Sequence, residues 1–179
     1  GAVLGGVTTI FEMPNTLPPT IDKKSLNFKL SVAKQSSHCN YSFFIGASTK
    51  TIPSLNKLES LEGCCGVKIF VGSSTGDLLV KDDTNIENIL RVARRPVAIH
   101  SEDEYRLDSR KKLFAKKKIS VFDHPKIRDK LAAINSTNRL LKMAKKLKRS
   151  IHILHISTAD EIEIIKRYKN HATCEVTPQ

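Results

Sequence analysis

The sequence predicts an α/β fold in which six parallel β-strands alternate with helices. Short apolar runs rich in β-branched residues alternate with longer segments whose apolar residues recur at helical spacing. Each connection between successive strands is long enough to hold a helix, as parallel neighbours require. Hydrophobic residues make up 40% of the 179 residues, which is enough to form one sizeable core.

The predicted strands are short apolar runs that end at turn-forming residues. Val7–Met13 is rich in β-branched residues and stops at Pro14, and Gly66–Val71 runs into a loop rich in Gly and Ser at residues 72–77. The other predicted strands are Tyr41–Gly46, Pro96–His100, Ile151–Ile156 and Ala172–Val176.

Helical patterns fill the intervals between these strands. Asp22–Ser36 has Leu26 and Leu30 at helical spacing, and Asp22 is a residue type that caps helix N-termini. The other predicted helices are Pro53–Glu62, Asp83–Arg94, part of Glu102–Lys118, one long helix from Pro125 to about Lys148, and Ala159–Lys169.

The order of elements predicts one domain over residues 1–179, because no low-complexity linker interrupts it. Six βα units are compatible with a doubly wound open sheet and with part of a (β/α)₈ barrel. Neither a G-x-G-x-x-G motif nor a P-loop follows any strand, so nothing indicates nucleotide binding. In a barrel, the chemistry lies at the C-terminal ends of the strands.

The net charge of +12 raises nucleic acid or an anionic membrane as a partner. The basic stretch Lys142–Arg149 is interrupted by Ala144 and Leu147, as expected for the solvent face of an amphipathic helix. Aromatic residues are only 6% of the chain and Trp is absent, which disfavours stacking on bases. No apolar run reaches the roughly 18–20 residues of a membrane helix. The sequence therefore predicts neither nucleic acid nor membrane as a partner.

The cysteines indicate the redox compartment of the protein, and the first residue indicates whether the sequence starts at its natural N-terminus. Cys39, Cys64, Cys65 and Cys174 form no C-x-x-C pair, and no secretory signal precedes them. We expect reduced thiols in a cytoplasmic protein. The sequence begins at Gly1 rather than Met, within what reads as a packed segment, which suggests that further residues precede it.

Three unusual residues lie in or at the ends of predicted strands: Lys68, His100 and His155. A lysine in an apolar parallel strand is costly unless it is neutralised or paired, whereas carbon dioxide converts the amine to an anionic carbamate ligand. Two imidazoles from neighbouring strand ends suit zinc. The alternatives are a lysine that pairs with Glu102 and histidines hydrogen-bonded in the core. His152 should face the opposite side of its strand from His155.

Several segments resemble, in order and spacing, the dihydroorotases of the amidohydrolase superfamily: GGVTTIFEMPNTLPPT, GVKIFVGSSTGDLLV, VAIHSEDE, HILHISTADE and TCEVTPQ. The resemblance covers essentially the whole chain. Dihydropyrimidinase, hydantoinase and allantoinase share the plan, but GSSTGDLLV and CEVTPQ are closer to dihydroorotases. The resemblance implies a partial TIM (β/α)₈ barrel of the metal-dependent hydrolase type, with barrel strands two to seven present.

The resemblance also implies roles for four residues. Lys68 matches the fourth-strand lysine that is carboxylated and bridges two zinc ions, and His100 and His155 match the metal-binding histidines of the next two strands. Asn15, in the segment MPNT, matches a substrate-binding asparagine. The first-strand His-x-His pair with its arginine and the eighth-strand general-base aspartate have no match in residues 1–179. The site implied here is therefore partial, and its catalytic residue is not among those given.

The activity implied is the reversible closure of N-carbamoyl-L-aspartate to L-dihydroorotate with loss of water, in pyrimidine biosynthesis. The expected cofactor is Zn²⁺, the expected partner is this small-molecule substrate, and a homo-oligomer is a further expectation. Residues 1–179 alone are expected to be inactive. The alternatives are another cyclic amide as substrate (a dihydropyrimidine, a hydantoin or allantoin) and a non-catalytic, degenerate family member.

Overall fold

The strands of the protein form one parallel sheet in sequential order. The computed structural model describes residues 1–72, 76–115 and 118–177. The strands are β1 (Thr9–Glu12), β2 (Asn40–Gly46), β3 (Cys64–Val71), β4 (Val97–Ser101), β5 (Ile151–Ile156) and β6 (Ala172–Val176). Each strand pairs in parallel with the next, so the predicted number, order and direction of strands are confirmed.

Helices occupy the connections between successive strands. They are α1 (Lys23–Ser36), α2 (Leu55–Glu59), α3 (Asp83–Val92), α4 (Glu104–Phe114), α5 (His124–Ile127), α6 (Lys130–Lys146) and α7 (Ala159–Lys166). The predicted cap of α1 is confirmed, because the Asp22 carboxylate accepts a hydrogen bond from the Ser25 N–H at 2.7 Å. No helix among the described residues is both long enough and apolar enough to cross a lipid bilayer.

The prediction of one long helix beginning at Pro125 is wrong. Helix α5 ends at Ile127, and Arg128 has φ −98° and ψ 71°, outside the helical region. The backbone of Asp129 is extended, and its carboxylate caps α6 by accepting a hydrogen bond from the Ala132 N–H at 3.2 Å. An aspartate stabilises a new N-terminus better than it stabilises a helix interior, so the chain breaks and restarts here.

The two faces of the sheet have different compositions. The face against the helices forms the apolar core, with Ile45, Val67, Ile69, Ile99 and Ile153 each fully buried. Residues of the opposite face are identified by strand register, which aligns Lys68 with Ala98, Phe70 with His100, Ala98 with His152, and His152 with Thr173. This inner face is the concave side of a partial barrel, and it holds Lys68, His100 and His152.

Candidate metal centre

Strands β4 and β5 bring two imidazole rings together at their C-terminal ends. His100 is on β4 and His155 is on β5. The His100 Nδ1 lies 3.0 Å from the His155 Nε2, and the ring centroids are 4.9 Å apart. Both nitrogens are potential metal ligands, so two of the predicted site residues share one point of the inner face.

An irregularity in β5 turns His155 toward this face. The register between β5 and β6 shifts between Ile153 and Ile156, and His155 has a φ of 40°. The extra residue places His155 on the same side as His152, whose Nδ1 lies 2.8 Å from the Thr173 Oγ1. The predicted opposite orientation of the two histidines is wrong, because it assumes a regular strand.

Lys68 is buried on the inner face. Its side chain is one of the largest that are fully buried, with a residue exposure of 1%. The Nζ donates a hydrogen bond to the Ile69 carbonyl at 2.9 Å and lies 4.0 Å from the centroid of the Phe70 ring. Burial lowers the pKa of Lys68 to about 7, although the charge of Glu175 opposes this shift. A substantial fraction of the amine is therefore neutral and nucleophilic near pH 7.

Lys68 lies in the electrostatic neighbourhood of the imidazole pair. Burial lowers the pKa of His155, and the nearby His100 and Lys68 lower it further. The Phe70 ring, which contacts the lysine, lies 6.2 Å from the His100 ring between centroids. A lowered pKa keeps the imidazole neutral, which is the form that binds metals.

The donors present fit a metal site only when the lysine is counted. Among the described residues, no group of three or more His, Cys, Asp or Glu side chains is placed to hold a metal ion. The third predicted ligand is a lysine, which is not one of those residue types. Two imidazoles with a buried, partly neutral amine are a donor set compatible with a carbamate-assisted metal site.

A carboxylate occupies the other side of His100. The Glu102 Oε2 lies 2.9 Å from the His100 Nε2, and Arg128 donates hydrogen bonds to both oxygens of Glu102. Burial alone would raise the pKa of Glu102, but the hydrogen bonds from His100 and Arg128 lower it to about 2. Glu102 therefore pairs with Arg128 and His100, rather than with Lys68 as in one alternative from the sequence. Sequence reasoning missed Arg128, whose only local signal is the neighbouring Asp129, a residue type that caps the start of a helix.

Buried hydroxyl groups connect the ends of β4 and β5 to the helices behind them. The Ser101 Oγ lies 3.0 Å from both the Ser136 Oγ and the Thr137 Oγ1. Thr137 and Thr158 donate hydrogen bonds to the two oxygens of Glu161, at 2.8 and 2.9 Å. Ser101 follows one site histidine and Thr158 is three residues after the other. The network therefore joins both strand ends to α6 and α7.

Asn15 lies in the loop after β1, at the same end of the sheet as the histidines. Its side chain is exposed, and no hydrogen bond between described residues involves it. The loop is fixed by main-chain hydrogen bonds from the Thr20 N–H to Pro14 and from the Gly46 N–H to Thr20. The substrate-binding role of Asn15 stays a prediction.

Structural comparison defines the class of fold. The chain is similar to the L-hydantoinase (dihydropyrimidinase) from Arthrobacter aurescens, with a TM-score of 0.89 and 23% identity, over 99% of this chain and 41% of that one. The fold is that of a partial (β/α)₈ barrel, as predicted.

Sequence comparison points to a particular group within this class. No protein-family model matches the chain. It is 31% identical over 189 residues to the dihydroorotase of Methanosarcina acetivorans, covering 99% of this chain and 40% of that protein. It is 27% identical over 183 residues to the allantoinase of Rubrobacter xylanophilus, covering 97% of this chain and 40% of that protein. The chain is thus related to dihydroorotases over nearly its whole length, and it spans about 40% of the length of these relatives.

Proposed function

We propose that the chain carries part of the active site of a metal-dependent cyclic amidohydrolase of the dihydroorotase type. The reaction is the reversible closure of N-carbamoyl-L-aspartate to L-dihydroorotate and water. The observation that carries this proposal is the 3.0 Å approach of the His100 and His155 nitrogens on the inner face that also holds buried Lys68. The sequence relationship to dihydroorotases supports the choice of substrate.

Lys68, His100 and His155 are the residues that would hold the metal, which we expect to be zinc, with two ions in a complete site. Reaction of the neutral Lys68 amine with carbon dioxide would form an N–C bond, release one proton and leave a carbamate anion whose oxygens could hold the metal. Bound zinc supplies Lewis-acid polarisation of the amide carbonyl and a water of lowered pKa. Burial lowers the pKa of His155, so its neutral imidazole need lose no proton to bind a metal near pH 7.

The remaining residues of the chain would position the substrate and support the ligands. The Asn15 amide can donate to a substrate carboxylate and accept from a ring N–H. Residues 1–179 would form an incomplete catalytic barrel domain and would be inactive without the first- and eighth-strand residues that they do not contain. We place the enzyme in cytoplasmic pyrimidine biosynthesis, a setting that suits four free cysteines.

Metal content and turnover of the full-length natural protein test this proposal. We expect bound zinc, turnover of N-carbamoyl-L-aspartate and, after growth with ¹³C-bicarbonate, a carbamate signal in ¹³C NMR. Lys68→Ala should abolish the carbamate signal and lower both zinc content and turnover, whereas Lys166→Ala on the exposed side of α7 should change none of them. An intact natural protein without metal or turnover would contradict the proposal and favour a non-catalytic, degenerate member.

A second candidate is hydrolysis of another cyclic amide. The similarity to an allantoinase in sequence and to an L-hydantoinase in structure favours this alternative. The same full-length protein should be assayed with dihydroorotate, dihydrouracil, hydantoin and allantoin. A preference for a ring without a carboxylate would contradict the dihydroorotase assignment and would leave the metal site unchanged.

A further inference from the structure

The two ring nitrogens of His100 have different partners: a carboxylate oxygen on one side and an imidazole nitrogen on the other. The Nε2 lies 2.9 Å from the Glu102 Oε2, and the Nδ1 faces the His155 Nε2 at 3.0 Å. An ionised carboxylate can only accept hydrogen bonds. The single ring proton of a neutral His100 is therefore placed on Nε2, and the lone pair of Nδ1 points toward His155.

The carboxylate that selects this proton position is held from several directions. Arg128 donates from its Nε to the Glu102 Oε1 at 2.9 Å and from its Nη2 to the Oε2. The Glu102 N–H donates to the Val71 carbonyl at 2.7 Å. Gly72 packs against the same main chain, since a Cβ there would lie 2.6 Å from the Glu102 carbonyl oxygen. The side chain of Glu102 is thus fixed by Arg128 and His100, and its backbone is fixed by Val71 and Gly72.

We infer that Glu102 and Arg128 are positioning residues that fix the Nε2–H tautomer of His100 and thereby present its Nδ1 to a divalent cation shared with His155. The inference rests on the proposed function for the identity of the bound group as a cation. A carboxylate on the remote nitrogen of a metal-binding histidine orients the ring and makes it a stronger ligand. Arg128 acts one step further away, by donating hydrogen bonds to both oxygens of the carboxylate and so holding it in place. The break between α5 and α6 is what allows Arg128 to reach it.

The tautomer is measurable without any metal. In the metal-free, full-length protein labelled with ¹⁵N-histidine, two-bond ¹H–¹⁵N correlations identify which ring nitrogen carries the proton, and His100→Asn assigns the signal. We expect a protonated Nε2 and an unprotonated Nδ1 in His100. Glu102→Met should yield a mixture of tautomers, and Glu163→Met, which removes an exposed carboxylate paired with Lys166, should leave the His100 signal unchanged. A proton on the His100 Nδ1 in the unmodified protein would overturn the inference.

Metal affinity supplies the second readout. In zinc titrations against a competing chelator, Glu102→Met should weaken binding by about 10- to 100-fold, whereas Glu163→Met should not. Arg128→Met should cause a smaller loss that Arg128→Lys partly restores, because an ammonium retains the charge but not the paired hydrogen bonds. Equal zinc affinity in Glu102→Met and the unmodified protein would overturn the inference. Failure to bind zinc at all, with the Nε2–H tautomer present, would contradict the proposed function but would support the role of Glu102 in fixing the tautomer.

Discussion

At the scale of single residues, burial of the Lys68 ammonium is the main electrostatic cost of folding on the inner face. Its Nζ has a main-chain acceptor and an aromatic face as neighbours, and no carboxylate is within ion-pair distance of it among the described residues. Burial of an ammonium in such surroundings favours the neutral amine. The same property that makes the amine reactive therefore also makes the stability of the fold depend on pH.

The lowered pKa of Lys68 predicts how the free energy of unfolding of the metal-free protein depends on pH. Its pKa is about 7 when folded, below the ordinary value of 10.5, so between these pH values the unfolded chain binds a proton that the folded protein does not. The contribution of Lys68 to the free energy of unfolding should therefore increase from about pH 7 to about pH 10. Lys68→Met should remove this increase and stabilise the protein most at pH 7 or below. Urea unfolding at several pH values, in buffer free of carbon dioxide, measures the effect.

Lys166→Met is the matched control for this measurement, because Lys166 is 64% exposed and pairs only at the surface with Glu163. Its curve of unfolding free energy against pH should follow that of the unmodified protein. An unchanged slope in Lys68→Met would mean that Lys68 keeps its ordinary pKa in the folded state.

At the scale of elements, the caps and the buried hydroxyl network fix the helices that surround the site. Asp129 begins α6, and its carboxylate also accepts hydrogen bonds from Arg106 at 2.5 and 2.8 Å. Asp129→Ala should destabilise the protein by about 0.5–2 kcal/mol, the usual cost of losing an N-cap. Denaturant unfolding measures it. Asp160→Ala, at an exposed position in the first turn of α7, should cost less, and equal costs would show that the Asp129 cap contributes nothing specific.

Glu161 has a different role, since it is buried with an exposure of 2% and accepts hydrogen bonds from the Thr137 and Thr158 hydroxyls. Glu161→Met would leave these two donors without their acceptor. We expect a loss of about 1–3 kcal/mol in the free energy of unfolding, the usual cost of leaving a buried polar group unpaired. Glu161→Gln retains one acceptor oxygen and should lose less. Equal stability of Glu161→Met and the unmodified protein would contradict the importance of the network.

The elements also show how far the sequence predicts this structure. The sequence predicts the limits of β5 and β6 to the residue, and for β5 the signal is a mainly apolar run bounded by polar residues. The irregularity at His155 was not predictable, since it arises from the pairing of β5 with β6 rather than from a local pattern. The start of α6 was missed because apolar spacing continues through Asp129. The contact of Arg128 with Glu102 joins residues 26 positions apart and leaves no periodic signal.

At the scale of the whole molecule, the sheet is curved but not closed. Within the described ranges, β1 pairs only with β2 and β6 pairs only with β5. Ile10 and Phe11 on β1 are 40% and 58% exposed. Unpaired edge strands with exposed apolar side chains promote association with other chains. The open edges are therefore the part of this molecule that we expect to promote self-association.

These edges predict the behaviour of residues 1–179 produced by themselves. We expect concentration-dependent self-association at micromolar concentrations, and Phe11→Lys should reduce it, because a charge on an edge strand opposes further pairing. Sedimentation velocity over a range of concentrations measures the change. Leu113→Lys on α4 is the control, since Leu113 is 71% exposed but lies away from the sheet edges. A monomer at all concentrations would show that the edges are protected by the fold itself.

The β5 irregularity constrains how this strand can change in length. Three steps along β5, from Ile153 to Ile156, match two steps along β6. Removing Leu154 would restore an even count and a continuous ladder, and it would relieve a left-handed backbone that costs on the order of 1–3 kcal/mol. The same deletion would place His155 two residues after His152, so a regular strand would still present both imidazoles on the inner face. The irregularity thus compensates for the odd spacing of three residues between His152 and His155, so the parity of this segment matters as much as its composition.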